Sequence, residues 1–201
     1  MSTKPFELGR TSSKPSEWIN STIDIAVSLL KHRLEILERT SINEFNVNDQ
    51  IYRELLGRTI WKYSEAYGKF KGCPFWSKKA YNFFNSLNNR SSVEISKNLR
   101  HEHTYPQILL INKLRELKDP GFEEVKSLFQ NFAIATVVTK EENDKLNSKE
   151  VGLRSKTLSD KNIWLRYATS KLKILIKENP LKADFFEFHK NDIMEAGLLV
   201  K

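Results

Sequence analysis

The stretch Ala133-Ile134-Ala135-Thr136-Val137-Val138-Thr139-Lys140-Glu141-Glu142-Asn143-Asp144-Lys145-Leu146-Asn147 reads as a strand running directly into a helix. Residues 133–138 are small or β-branched and apolar, the composition that suits a half-buried or buried strand. Thr139 ends the run, and Thr139 with Glu142 forms the Thr-x-x-Glu pattern of a capping box, so the helix starts there. Asn143 and Asn147 then fall one turn apart on the same helix face. This passage decides the fold class, because most other periodic segments of the chain have helical spacing.

Upstream, the chemistry concentrates in His101-Glu102-His103-Thr104-Tyr105-Pro106, which holds two of the four histidines. The segment from Val93 to Thr104 reads as a strand entering a turn at Pro106. Glu102 offers a hard oxygen to a divalent cation, and His103 offers a nitrogen base that titrates near neutral pH. Neighbours on a regular strand point to opposite faces, so these two share a site only if the strand bends. An exposed polar strand end is the plain alternative. His101 and His103, two apart, lie on one face and form a His-x-His pair of the kind that holds Zn²⁺, although Cys73, His32 and His189 are remote in sequence. Downstream, the amide oxygen of Asn143 is an acceptable Mg²⁺ ligand, whereas Glu142 is accounted for by capping.

The two segments together resemble the ββα-metal (HNH, His-Me finger) endonucleases, in the branch with a Glu-His-x-x-Pro signature followed by a hydrophobic strand, Thr-x-x-x-Asn and a short helix. Glu102-His103-Thr104-Tyr105-Pro106 and Thr139-Lys140-Glu141-Glu142-Asn143 carry the resemblance, which covers residues 98–156. It implies that His103 is the general base that activates water. Glu102 and Asn143 would hold one Mg²⁺ or Mn²⁺, with Zn²⁺ the lesser candidate, and the reaction would be hydrolysis of DNA phosphodiester bonds in restriction or phage defence. The family's middle Asn before the second strand is replaced here by Ala133-Ile134. Asn131 or a backbone carbonyl is therefore expected to orient His103. That departure makes a nucleic-acid-binding protein with a degenerate nuclease module the alternative function.

Around this module the chain is helical. Ser16 opens a helix with Ile19, Ile23, Ala26, Leu30, Leu34 and Leu37 at three- and four-residue steps. Thr40 to Asn48 breaks the pattern, a second helix runs from about Asp49 to Lys69, and Gly72-Cys73-Pro74 separates it from a third over Ser77 to Leu87. Ten aromatics between Tyr52 and Phe84 are interleaved with lysines, and their helical spacing assigns them to a core rather than to base stacking. Further helices follow Pro106 and Gly121. The last fifty residues hold a helix or turn near Trp164 to Ala168, a short Lys-Ile-Leu-Ile strand and an amphipathic end.

The expected architecture is α+β, mostly helical, with a small ββα module in the C-terminal half. Its segments are a loose leader (1–15), a helical part (16–92), the nuclease-like module (93–158) and a basic C-terminal segment (159–201), folded as one compact domain. The 33 basic and 25 acidic residues leave a net charge of +8 and a pI near 9.4. That surplus points to a polyanion such as DNA or RNA, because Lys and Arg at phosphates release condensed counterions. Lys149, Arg154 and Lys156 are spaced to meet phosphates from a loop, or to form a solvated basic loop. The single cysteine permits no intrachain disulfide and fits a reducing, cytoplasmic setting. No membrane partner is expected, and a homodimer is one compatible state.

Overall fold

A computed structural model describes residues 15–70, 72–87, 91–149, 160–177 and 183–200. It is mostly helical with one small sheet, the α+β class expected. No helix among the described residues is long and apolar enough to cross a membrane. Two compact units interleave along the chain. One takes the described residues up to Tyr67 together with Tyr105–Ile134. The other takes Gly68–Thr104 with the described residues from Ala135 onward.

The first unit is helical: α1 (Pro15–Arg39), α2 (Ile42–Ser64), α5 (Gln107–Arg115) and α6 (Phe122–Phe132). Helices α1 and α2 run antiparallel, since Trp18 near the start of α1 donates to Lys62 O near the end of α2 (2.9 Å). Ile23, Ala26 and Leu30 of α1, Leu56 and Ile60 of α2, Leu110 and Leu114 of α5, and Val125 and Phe129 of α6 are buried core residues. Asp49, itself buried, accepts from Arg33 (2.9 Å) and Arg115 (2.6 Å), tying α2 to α1 and α5. The break after α1 is shorter than the Asn-rich sequence predicts. Only Thr40 and Ser41 lie outside a helix, and α2 begins at Ile42 rather than Asp49. Short polar residues lower interior helix propensity but are tolerated in a first turn, which hid this start.

The second unit holds the sheet. Its strands are β1 (Phe75–Ser77), β2 (Leu99–His103), β3 (Ala135–Thr139) and β4 (Ile174–Ile176), in the order β2-β3-β1-β4. Strand β2 is antiparallel to β3, β1 is parallel to β3, and β4 is antiparallel to β1. Around it lie α3 (Lys78–Ser86), α4 (Ser92–Asn98), α7 (Lys140–Leu146), α8 (Leu165–Thr169) and α9 (Ala183–Glu195).

Two expectations change here. The expected strand from Val93 to Thr104 is a short helix, α4, followed by β2. The Oγ of Ser91 caps α4 by accepting from Glu94 N (3.2 Å), so Ser91-x-x-Glu94 carries the same start signal as Thr139-x-x-Glu142. Strand β1 lies in the aromatic run that reads as helix or loop. At three residues it is too short to show a period. Its position next to β3 is fixed by Trp76, which packs with Cys73, Ala80, Phe84, Leu99 and Val137 in one buried cluster.

Candidate functional site

The ββα order is present as geometry. Residues Leu99 to His103 of β2 pair in sequence with Thr139 to Ala135 of β3, and α7 leaves the end of β3 and packs on both strands. Both bonds of the capping box that starts α7 are formed. Thr139 Oγ1 accepts from Glu142 N (3.2 Å) and Glu142 Oε2 accepts from Thr139 N (2.9 Å). Ser77 Oγ also donates to Glu142 Oε2 (2.5 Å), anchoring the cap to the end of β1. Glu142 is thus a capping residue, as its position in the sequence suggests.

The ladder is regular through Glu102 and His103, which pair with Thr136 and Ala135. There is no bend between them, so alternation sends their side chains to opposite faces of the sheet. His101 goes with His103. His101 pairs with Val137, a member of the Cys73–Trp76–Phe84 cluster, so this pair belongs to the apolar face. Burial there favours the neutral imidazoles: His101 falls from 6.5 to about 3, with His103 and then Lys69 adding to the effect of desolvation, and His103 falls to about 4 by desolvation. The same face brings Cys73 to the sheet, where its Sγ donates to Ala135 O (3.3 Å). Even so, no group of three His, Cys, Asp or Glu side chains among the described residues is placed to hold a metal.

Glu102 faces the other side, and it is not alone. Arg166 of α8 approaches its Oε1 to 2.9 Å, and the Tyr167 hydroxyl donates to its Oε2. Glu102 is 9% exposed and Arg166 2%. Burial pushes the Glu102 carboxyl up, while Arg166 and the Tyr167 bond pull against that rise. Burial and the neighbouring carboxylate hold the Tyr167 phenol well above its ordinary range, so it stays a donor. On the same face Thr104 and Thr136 share a hydroxyl–hydroxyl bond (2.9 Å). Arg166 Nη2 also donates to Leu146 O at the end of α7 (3.1 Å), which places Glu102 and the helix bearing Asn143 on one side of the sheet. Asn143 is half-buried there.

The structure therefore brings Glu102 and the Asn143 helix to one face and leaves His103 on the other. Both carboxylate oxygens of Glu102 are engaged by protein donors, and the cation beside them is a guanidinium. The residues present do not fit a bound divalent ion. Asn131, expected as an orienter of His103 alongside a backbone carbonyl, turns its amide back to Ser127 O within α6 (2.8 Å). Instead, the His103 carbonyl accepts from Arg166 Nη1 (3.3 Å). Lys149 is exposed, while Arg154 and Lys156 lie outside the described residues.

Arg166 and Tyr167 are the site residues that sequence reasoning missed. Trp-Leu-Arg-Tyr has no motif of its own and lies more than sixty residues from Glu102. The available signal was indirect: a carboxylate on a strand needs a counter-charge if it is buried. No family model matches the chain, and neither a curated protein nor a solved structure does so.

Proposed function

We propose that this chain is a nucleic-acid-binding protein whose β2–β3–α7 module is degenerate as a nuclease and binds without cutting. The observation that carries this reading is the closure of Arg166 and Tyr167 over Glu102, the one anionic ligand that the resemblance supplies. The excess of 33 basic over 25 acidic residues supports a polyanionic partner. DNA is the first partner to test, with RNA as the parallel arm, and the single buried cysteine suits a cytoplasmic setting.

Anisotropy titrations with labelled duplex DNA at rising salt test the reading. Affinity should fall with a log–log slope of roughly −0.9 per phosphate contact. Replacing Lys149, Arg154 and Lys156 together by Ala should flatten that slope by about three. Absence of salt-sensitive binding to either nucleic acid overturns the proposal, and plasmid should remain uncut with Mg²⁺, Mn²⁺ or EDTA.

A second reading, a divalent-metal-dependent endonuclease hydrolysing DNA phosphodiesters, is favoured by the common face of Glu102 and α7. On that reading Glu102 and Asn143 would hold Mg²⁺ or Mn²⁺ only once Arg166 and Tyr167 had left Glu102, and His103 would act as the base only if the strand bent to bring it to that face. Metal-stimulated cutting lost in His103→Ala, with binding changed by less than about tenfold, would establish it.

A further inference from the structure

Four oxygens converge on the guanidinium of Arg166. Nη2 meets Glu102 Oε1 (2.9 Å) and Leu146 O (3.1 Å), and Nη1 meets His103 O (3.3 Å) and Thr104 O (3.5 Å). They come from the end of β2 and the end of α7, and the Leu146 carbonyl belongs to the helix terminus that has no further intrahelical donor. One carboxylate and three carbonyls form the kind of oxygen set that binds hard cations, and here a planar fork of N–H groups reaches all four. The Arg166 side chain is almost fully buried, and the surrounding oxygens carry the compensating charge.

We infer that these oxygens form a cation site that the chain fills with its own Arg166, which locks the β2 end to α7 and keeps divalent ions from Glu102. The inference deepens the non-cutting reading of the module but does not depend on nucleic-acid binding. Because the oxygens are spaced for a guanidinium, the emptied site should accept a guanidinium ion best. Ca²⁺, which takes oxygens at longer range and in looser geometry, should come next, ahead of Mg²⁺.

Two measurements test it. First, Mn²⁺ titrations followed by electron paramagnetic resonance should be identical for the native chain and Glu102→Gln. Mn²⁺ binding that Glu102→Gln abolishes overturns the inference and revives the endonuclease reading. Second, Arg166→Gly should lower Tm by roughly 10 °C, and methylguanidinium at about 10 mM should restore roughly half of that loss. Ca²⁺ should restore less and Mg²⁺ least, and Glu102→Gln in the same background should abolish all three effects. A folded Arg166→Gly whose Tm no cation raises overturns the inference. Should that variant fail to fold, Arg166→Ala, which also empties the site but keeps a better helix former in α8, takes its place, with the same cations and the same expected order. A chain that shows cation rescue but does not bind DNA or RNA supports the site and overturns only the proposed function.

Discussion

The two faces of β2 bury polar side chains by opposite means. On one, Glu102 is met by a guanidinium and a phenol, so a charge is kept inside by pairing it. On the other, burial keeps His101 and the half-buried His103 as neutral rings, with His103 and Lys69 adding to the effect on His101. A single residue step along the strand separates these environments. Adjacency in sequence therefore says little about shared chemistry once a ladder is regular, and the Glu-His pair is two sites of different character.

The contrast breaks most visibly with acid. An imidazole lowered on folding stabilises the native state above the unfolded value of about 6.5. That stability is lost as pH falls through the folded values, because the unfolded chain binds the proton first. With His101 near 3 and His103 near 4, the window runs from about pH 6.5 down to about pH 3. Their combined loss is on the order of 5 kcal/mol. Glu102 acts in the reverse sense: its raised carboxyl adds stability at low pH that is lost as pH rises through its folded value. Urea midpoints between pH 7 and 4 should drop steeply in the native chain and much less in His101→Asn/His103→Asn. Equal slopes in the two proteins would mean that the rings are not buried as neutral groups.

A somewhat smaller effect is expected on the paired face. Glu102→Leu leaves a buried guanidinium without its carboxylate and should cost about 3–5 kcal/mol at pH 7. Combined with Arg166→Met, which removes both charges, the cost should shrink, since apolar replacement of a whole buried pair is often neutral. Chemical denaturation of the two singles and the double gives the coupling directly. Additive losses would show that Glu102 and Arg166 contribute through packing rather than as a pair.

How much of this was legible follows element length and contact range. Strand β3 and helix α7 were readable because β-branched residues and a capping box act locally, within 133–146. Helices α5 and α6 were readable on either side of the Asp119-Pro120-Gly121 stop, α5 starting after Pro106 and α6 after Gly121. Strand β1 was not: three residues carry no period, and Trp76 is placed by a cluster that includes Leu99 and Val137, both distant in sequence. The Glu-His pair was visible as a motif, but its partners Arg166 and Tyr167 arrive from α8, where neither charge pattern nor spacing announces a role. The sequence could show that Glu102 needed a cation. It could not show that the cation was already in the chain.

The smallest test compares two capped helices, α4 just ahead of the module and α7 within it. Ser91 and Thr139 each accept from the backbone N–H of a Glu three residues on, at 3.2 Å in both cases. Ser→Ala or Thr→Ala at such a position costs about 1 kcal/mol, because one backbone donor loses its partner. The surroundings differ, however. Thr139 is buried at 9% exposure, and its Glu142 is also held by Thr139 N and by Ser77 Oγ. The bond at Ser91 is exposed, so water can replace it. Thr139→Ala should therefore reach the upper end of the capping range, about 2 kcal/mol, and Ser91→Ala should stay near 0.5 kcal/mol. Thr139→Ser, which keeps the acceptor, should recover most of the difference. Ser77→Ala should lose part of it without touching α7's own backbone. Equal losses in Thr139→Ala and Ser91→Ala would show that the link from Ser77 to Glu142 adds nothing to the cap, and that α7 is held to the sheet by the packing of Leu146 and the Arg166 bond to its carbonyl.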